Sequence, residues 1–209
     1  MMFLWLALAF VLGAIPWSLW VSRLRGVDLR AQGSGNLGAT NVYRVMGFKV
    51  GLLVLLLDVG KGVLAVVLAR QFAPGALAGW LPMFAGMLAV IGHVFTPFAG
   101  FKGGKGVATG LGIMIGLAPQ VALCGFGVWV GTLLLGGWVS LASGLGALMV
   151  PISTVLLQSE MGERYASVLL VGVSMSLLIL IRHRANWMRL AQGKEKAIWD
   201  KPSATKGTK

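Results

Sequence analysis

Three short polar segments hold nearly all the residues of this chain that could do chemistry. The first, residues 33–41, reads Gly33-Ser34-Gly35-Asn36-Leu37-Gly38-Ala39-Thr40-Asn41, with Arg44 three residues on. Its glycines let the backbone approach an anion closely, its hydroxyls and amides add neutral donors, and Arg44 offers a planar fork suited to phosphate. Residues 37–46 can open a short helix whose N-terminus also attracts anions. The second, residues 101–109, sets Lys102, Gly103, Gly104, Lys105, Gly106 and Thr109 in a row. Successive glycine N–H groups can turn inward there as an anion nest, and two lysines add charge. It is not a Walker A loop: Gly100 and Gly104 are one residue too close, and Gly106 stands where a magnesium-binding Ser or Thr belongs. The third, residues 181–195, carries Arg182, His183, Asn186, Arg189 and Glu195. If one helix runs through it, Arg182, Asn186 and Arg189 share a stripe by i, i+4, i+7 spacing, with His183 beside them.

Each segment also has a blander reading. The first is a flexible connector capped by Ser34 or Asn36, the second a basic turn against anionic lipid heads, and the third a stop-transfer cluster with Trp187 at the interface. The connector reading leaves the density of glycines and amides unexplained, and the lipid reading does not need the glycines. Other polar groups lie in apolar stretches. Asp58 and Lys61, three apart on a helix, can pair with each other, and we assign them a structural role. His93, one turn before Pro97, is read as a packing residue. Ser140 and Ser143, just after Gly136-Gly137-Trp138, can donate to a ligand or cap a helix. The chain has no H-E-x-x-H pair, no Cys/His cluster and no G-x-S-x-G elbow, and its one cysteine, Cys124, cannot form an internal disulfide. No metal and no cofactor are expected.

The elements that must hold these segments follow from composition. Of 209 residues, 57% are hydrophobic and 11% charged, and the mean hydropathy is +0.84. Soluble domains carry about 25% charged residues, so the chain reads as an all-α integral membrane protein. The net charge of +12 then marks basic loops on one side and not a nucleic-acid partner. Apolar runs of spanning length cover 2–21, 50–69, 77–97 and 165–181, and residues 106–159 contain no charged side chain. The N-terminus lacks a basic n-region and a cleavage site, so it reads as a retained span.

Breakers at Pro119-Gln120 and Gly136-Gly137-Trp138 divide the uncharged stretch, and one cut gives six spans while two give seven. Seven place 15 of the 18 basic residues on one face, with Arg70 and Arg164 opposite and Lys61 inside a span. The positive-inside rule therefore favours seven helices, N-terminus outside and C-terminus cytoplasmic. The short span 106–119 must be tilted, capped by loop, or broken. Residues 1–199 form one domain, and 200–209 a polar, disordered tail. Thirty-one glycines suit close helix packing.

Taken together, the three segments, with Asp58-x-x-Lys61-Gly62 and Ser140-x-x-Ser143, resemble the signatures of the bacterial membrane acyl-phosphate:glycerol-3-phosphate acyltransferases, the PlsY family. The likeness runs in order from residue 10 to about 195. It implies a seven-helix protein of the bacterial inner membrane with its active face cytoplasmic. Such an enzyme transfers an acyl group from acyl phosphate to the 1-hydroxyl of glycerol 3-phosphate, giving lysophosphatidic acid and phosphate without a covalent acyl-enzyme, in the first step of phospholipid synthesis. Membrane lipids surround it, and an acyl-phosphate-forming enzyme is a functional neighbour. On that reading His183, Ser34 and Asn186 are catalytic. Substrate is held by Asn36, Gly38, Thr40, Asn41, Arg44, Lys102, Gly103, Gly104, Lys105, Gly106, Thr109, Ser140, Ser143, Arg182, Arg189 and Glu195. The donor phosphate is expected at Gly103–Gly106, and the glycerol 3-phosphate phosphate at Arg44, Lys105 and His183. The rival is a transporter or flippase for a phosphorylated metabolite or lipid.

Overall fold

The computed structural model describes residues 2–72 and 79–200, and among these all regular structure is helical. The expected first span, 2–21, is broken. Helix α1 (Met2–Ala14) stops before Pro16, which has no N–H to continue the ladder, and α2 (Trp17–Leu24) leaves at an angle of 41°. A broken helix exposes its last carbonyls, and these need donors in an apolar setting. Thr96 Oγ1 donates to Ala14 O (2.5 Å), and Lys61 Nζ to Ile15 O (2.9 Å).

The glycine segment leads into the short α3 (Ala39–Met46). Gly47, at φ 85°, turns the chain into the 24-residue α4 (Phe48–Gln71). Helix α5 (Leu81–Val94) follows, then a 3-10 turn at Pro97–Ala99 and the short α6 (Val107–Leu117). The uncharged stretch is cut at both expected places. Pro119 opens α7 (Pro119–Gly136), and Gly137, at φ 70°, separates it from α8 (Val139–Leu156). A tight turn containing α9 (Gln158–Met161) leads to α10 (Tyr165–Arg182) and α11 (Arg184–Ala191).

Among the described residues five helical stretches are long and apolar enough to cross a membrane, with α5 counted through to Ala99 and α10 from Gln158, and the bent pair α1–α2 makes a sixth candidate. Helix α6, with 11 residues, rises only about 16 Å at 1.5 Å per residue, roughly half of a hydrocarbon core. Its far end is capped by two arginines. Arg70 Nη2 donates to Gly116 O (2.7 Å) and Arg164 Nη1 to Leu117 O (3.4 Å). The two basic residues assigned to the outer side thus serve the last carbonyls of a short helix. Glycines let the helices touch backbone to backbone. A side chain at Gly112 would strike the carbonyl of Val59, and one at Gly92 the carbonyl of Phe10. Residues 201–209 lie outside the described residues, so the tail assigned to disorder is not described apart from Asp200.

Candidate active site

A cavity of about 1450 Å³ opens where the three polar segments meet. Ser34, Asn36, Gly38, Thr40, Asn41 and Arg44 line it from the first segment, and Lys102, Gly103, Lys105 and Gly106 from the second. Arg182, His183, Asn186, Arg189 and Glu195 line it from the third, and Ser140 and Ser143 from α8. Gly104, Thr109 and Lys61 do not. Residues as far apart in sequence as Ser34 and Glu195 therefore share one chamber.

Asn41 shapes the first segment. Buried, it accepts the Ser34 N–H at Oδ1 (2.7 Å), and its Nδ2 donates to Leu29 O (3.3 Å) and Gln32 O (3.1 Å). Expected as a substrate contact, it instead commits both ends of its amide to the turn ahead of α3. Gly33 and Gly35 take positive φ there, 61° and 68°. Arg44 reaches across the mouth to Lys196 O (3.0 Å).

The second segment corrects the nest. The Gly103 N–H donates to Val94 O (3.0 Å) and the Gly104 N–H to His93 O (3.2 Å), so the loop lies back along the end of α5. Both N–H groups are occupied by protein. Both glycines are needed for a different reason: a Cβ at Gly103 would strike His93 O, and one at Gly104 the His93 ring. His93 is itself held by Asp58 (Nδ1 to Oδ1, 3.6 Å), which pairs with Lys61 (2.9 Å), and all three are buried. Through Lys61 and Ile15 O the trio links the break in α1 to the loop, and Asp58 and His93 also line the cavity.

Gly106, at φ 88°, starts α6 and leaves its first-turn N–H groups facing the cavity end. Lys105 points its ammonium at Asn186 Oδ1. Burial, with Arg189, Arg182 and Arg44 nearby, pushes its pKa down to about 8, although Glu195 pulls the other way. Thr109 was expected to bind substrate, but it is fully buried on the opposite face of α6, where its carbonyl meets Gly62 of α4. It sits one helical position away from the cavity-lining Ala108 and Gly110.

The third segment is not one continuous helix. It breaks at His183, between α10 and α11. Arg182 turns to the loop, donating to Gly104 O (3.3 Å) with its guanidinium 5.9 Å over the Phe95 ring. Asn186 and Arg189 turn to Glu195. Glu195 Oε1 accepts from Asn186 Nδ2 (2.6 Å) and Ser140 Oγ (2.9 Å), and Oε2 from Arg189 Nε (2.8 Å). Burial opposes ionisation of this carboxylate, but the three hydrogen bonds outweigh it and hold its pKa below the ordinary range. His183 Nδ1 lies 2.8 Å from Ile179 O, so Nδ1 carries the proton and Nε2 the lone pair. Burial and the Lys105 charge push its pKa down to about 4, so the ring is neutral near pH 7.

Below this polar mouth the cavity is apolar. Leu111 and Met114 of α6, Phe126 and Trp129 of α7, Val150 of α8 and Met175 of α10 line it. Ser143 works at the boundary: its Oγ donates to Val139 O (2.7 Å) and accepts from Trp129 Nε1 (3.3 Å).

The likeness seen in the motifs extends to known proteins. A family model described as glycerol-3-phosphate acyltransferase matches residues 3–193. The chain belongs to the glycerol-3-phosphate acyltransferase family. It is an integral membrane acyltransferase. The glycerol-3-phosphate acyltransferase of Synechococcus sp. (strain CC9902) is 44% identical over 94% of this chain and 94% of its own. That of Aquifex aeolicus (strain VF5) is 43% identical over 90% and 94%. The glycerol 3-phosphate form of PlsY (YgiH), an integral membrane glycerol 3-phosphate acyltransferase, aligns with a TM-score of 0.84 at 39% identity, covering 94% of both chains. Its lysophosphatidic acid form gives 0.81 at 38%.

One part of this candidate site, beyond Glu195, escaped the sequence reading. Residues 194–200 fold back as a strap over the mouth. Ile198 N donates to Gly137 O (2.8 Å), Trp138 Nε1 to Glu195 O (3.2 Å), and Trp199 covers Gly137. Lys194, Lys196 and Asp200 line the cavity from it. In the sequence, Gly137 and the tryptophans Trp138 and Trp199 were its signal.

Proposed function

We propose that this acyltransferase moves an acyl group from acyl phosphate to the 1-hydroxyl of glycerol 3-phosphate, giving lysophosphatidic acid and inorganic phosphate. One observation carries the reading: a single cavity joins a cationic, amide-rich mouth to a deep apolar arm. Both substrates bear a phosphate, and only the donor bears a long chain. Arg44 and Lys105 hold the phosphate of glycerol 3-phosphate, with Ser34, Asn36 and Asn186 orienting its hydroxyls. The donor phosphate lies at Gly106, the first turn of α6 and Arg182. An acyl phosphate is already activated, so no protein nucleophile is needed, and positioning with charge stabilisation suffices. The 1-hydroxyl oxygen attacks the acyl carbon, the bond from that carbon to the phosphate oxygen breaks, and phosphate departs. Ahead of substrate binding, burial and the Lys105 charge hold the His183 pKa at about 4, which favours a substrate phosphate oxygen over the imidazole as proton acceptor. Its Nε2 orients the hydroxyl, and a substrate phosphate oxygen takes the proton.

The same proposal places seven crossings in a bacterial inner membrane, with the N-terminus outside and the mouth and C-terminus cytoplasmic. Helix α6 supports this count, since it runs from the cavity end to the end capped by Arg70 and Arg164. A transporter reading is disfavoured because the polar groups gather at one end of a cavity closed at the other by packed core. The test is direct. Detergent-purified protein given palmitoyl phosphate and glycerol 3-phosphate should form lysophosphatidic acid. Failure with that donor and success with an acyl thioester would overturn the donor; failure with both would overturn the reaction. His183→Ala that keeps most of the activity would remove the histidine from it.

A further inference from the structure

The apolar arm has a closed end. Of its lining residues, Ala122 on α7, Val150 on α8 and Gly172 on α10 lie farthest from the mouth along their helices. Beyond them the cavity stops against packed core: Val121 is fully buried, and Val168 and Met161 nearly so. Gly172 abuts Val150, so the floor is continuous between α8 and α10. The other apolar side of the cavity differs. Leu52 and Leu56 of α4 are 38% and 60% exposed and face lipid, so a chain lying there would meet no end.

We propose that the floor formed by Ala122, Val150 and Gly172 sets the longest acyl chain this enzyme accepts. The proposal rests on the reading of the cavity as the acyl-donor site. From Arg182 to Gly172 is ten helical residues, about 15 Å at 1.5 Å per residue. From Gly136 to Ala122 is fourteen, about 21 Å. An extended chain advances about 1.2 Å per bond, so roughly thirteen to seventeen bonds fit between the mouth and the floor. Saturated chains of about fourteen to eighteen carbons fill the arm. A methylene that fits exchanges lipid for an equally apolar wall and costs little. Each one that does not fit must fold back against the floor and displaces the carbonyl from the attacking hydroxyl.

Two substitutions move the floor in opposite directions. Ala122→Leu raises it by about two carbon–carbon bonds and should move the optimum about two carbons shorter, with a tenfold or greater loss on the previous best chain. Val150→Ala lowers it and should move the optimum longer. Loss of fold would reduce all chain lengths together, whereas a ruler alone moves the two optima apart. The assay follows lysophosphatidic acid from acyl phosphates of ten to twenty carbons at fixed glycerol 3-phosphate. A flat wild-type profile, or unchanged optima in both variants, overturns the proposal. If acyl phosphates fail while thioesters react, the donor assignment is wrong, and the thioester chain series then decides the floor.

Discussion

Replacing Glu195 tests how the mouth is held. Its side chain is 5% exposed and accepts from Asn186, Ser140 and Arg189. Hydrogen bonds to a charged acceptor contribute roughly 1.5–3 kcal/mol each, so the two shielded ones, from Asn186 and Ser140, carry most of the loss. The Arg189 side chain is 45% exposed, which leaves that pair about 0–1 kcal/mol. Water entering the open cavity recovers part of the loss, so Glu195→Ala should destabilise by about 3 kcal/mol, and Glu195→Gln by about 1 kcal/mol because it keeps one acceptor oxygen. At about 2–4 °C per kcal/mol for a chain of this size, the alanine variant should melt roughly 6–12 °C lower in detergent. Its KM for glycerol 3-phosphate should rise as well, because Asn186, which anchors the Lys105 ammonium, loses its own support.

The pH dependence gives an independent check. The folded carboxylate has a depressed pKa, so its stabilisation is complete above the ordinary glutamate value of about 4.3 and is lost as pH falls through the folded value. The gap in Tm between the native protein and Glu195→Gln should therefore hold at neutral pH and close only below about pH 4.3. A Glu195→Ala protein that melts with the native one and keeps its KM would refute the reasoning.

Three further outcomes are expected. The Lys105 pKa of about 8 means that the site loses a cation above that pH, so kcat/KM for glycerol 3-phosphate should fall on the alkaline side; Lys105→Arg, which stays charged, should flatten that limb, and a limb left in place would exonerate Lys105. Gly104→Ala drives a methyl into the His93 ring and displaces the loop, so kcat/KM should drop at least tenfold while the protein stays folded; unchanged kinetics would count against the close approach. Lys61→Met strands Asp58 and Ile15 O, at a cost of about 3–5 kcal/mol; adding Asp58→Asn should recover part of it by thermal melting, and simple additivity of the two would show that they do not interact.

The sequence made the meeting of the three segments legible because charge counting placed them on one face, and the structure brings them into one cavity. The cuts at Pro119 and Gly137 were legible for a similar reason, since proline and glycine act locally. Features that depend on long-range contact were not. Pro16 was visible, yet an apolar run from 2 to 21 looked sufficient for one span; only Thr96 and Lys61, distant in sequence, make a break there tolerable. The glycines of residues 103–104 suggested an anion nest, but their N–H groups serve α5, and no local pattern foretells that. The stripe through Arg182, Asn186 and Arg189 assumed a continuous helix, whereas the break at His183 sends Arg182 to one partner and the other two to Glu195.

The broken first helix also bears on the order in which the protein is made. Asp58 and Lys61 enter the bilayer on α4 as a neutralised pair, at less cost than two separate charges. The carbonyl that takes a further Lys61 hydrogen is on Ile15, which leaves the ribosome earlier, and the imidazole that meets Asp58 is on His93, which leaves later. Insertion of α4 is therefore stabilised by a segment already in place and completed by one still to come. The break in the amino-terminal helix thus supplies an acceptor that α4 cannot supply for itself, and without it Lys61 would lack one of its two hydrogen-bond partners inside the bundle.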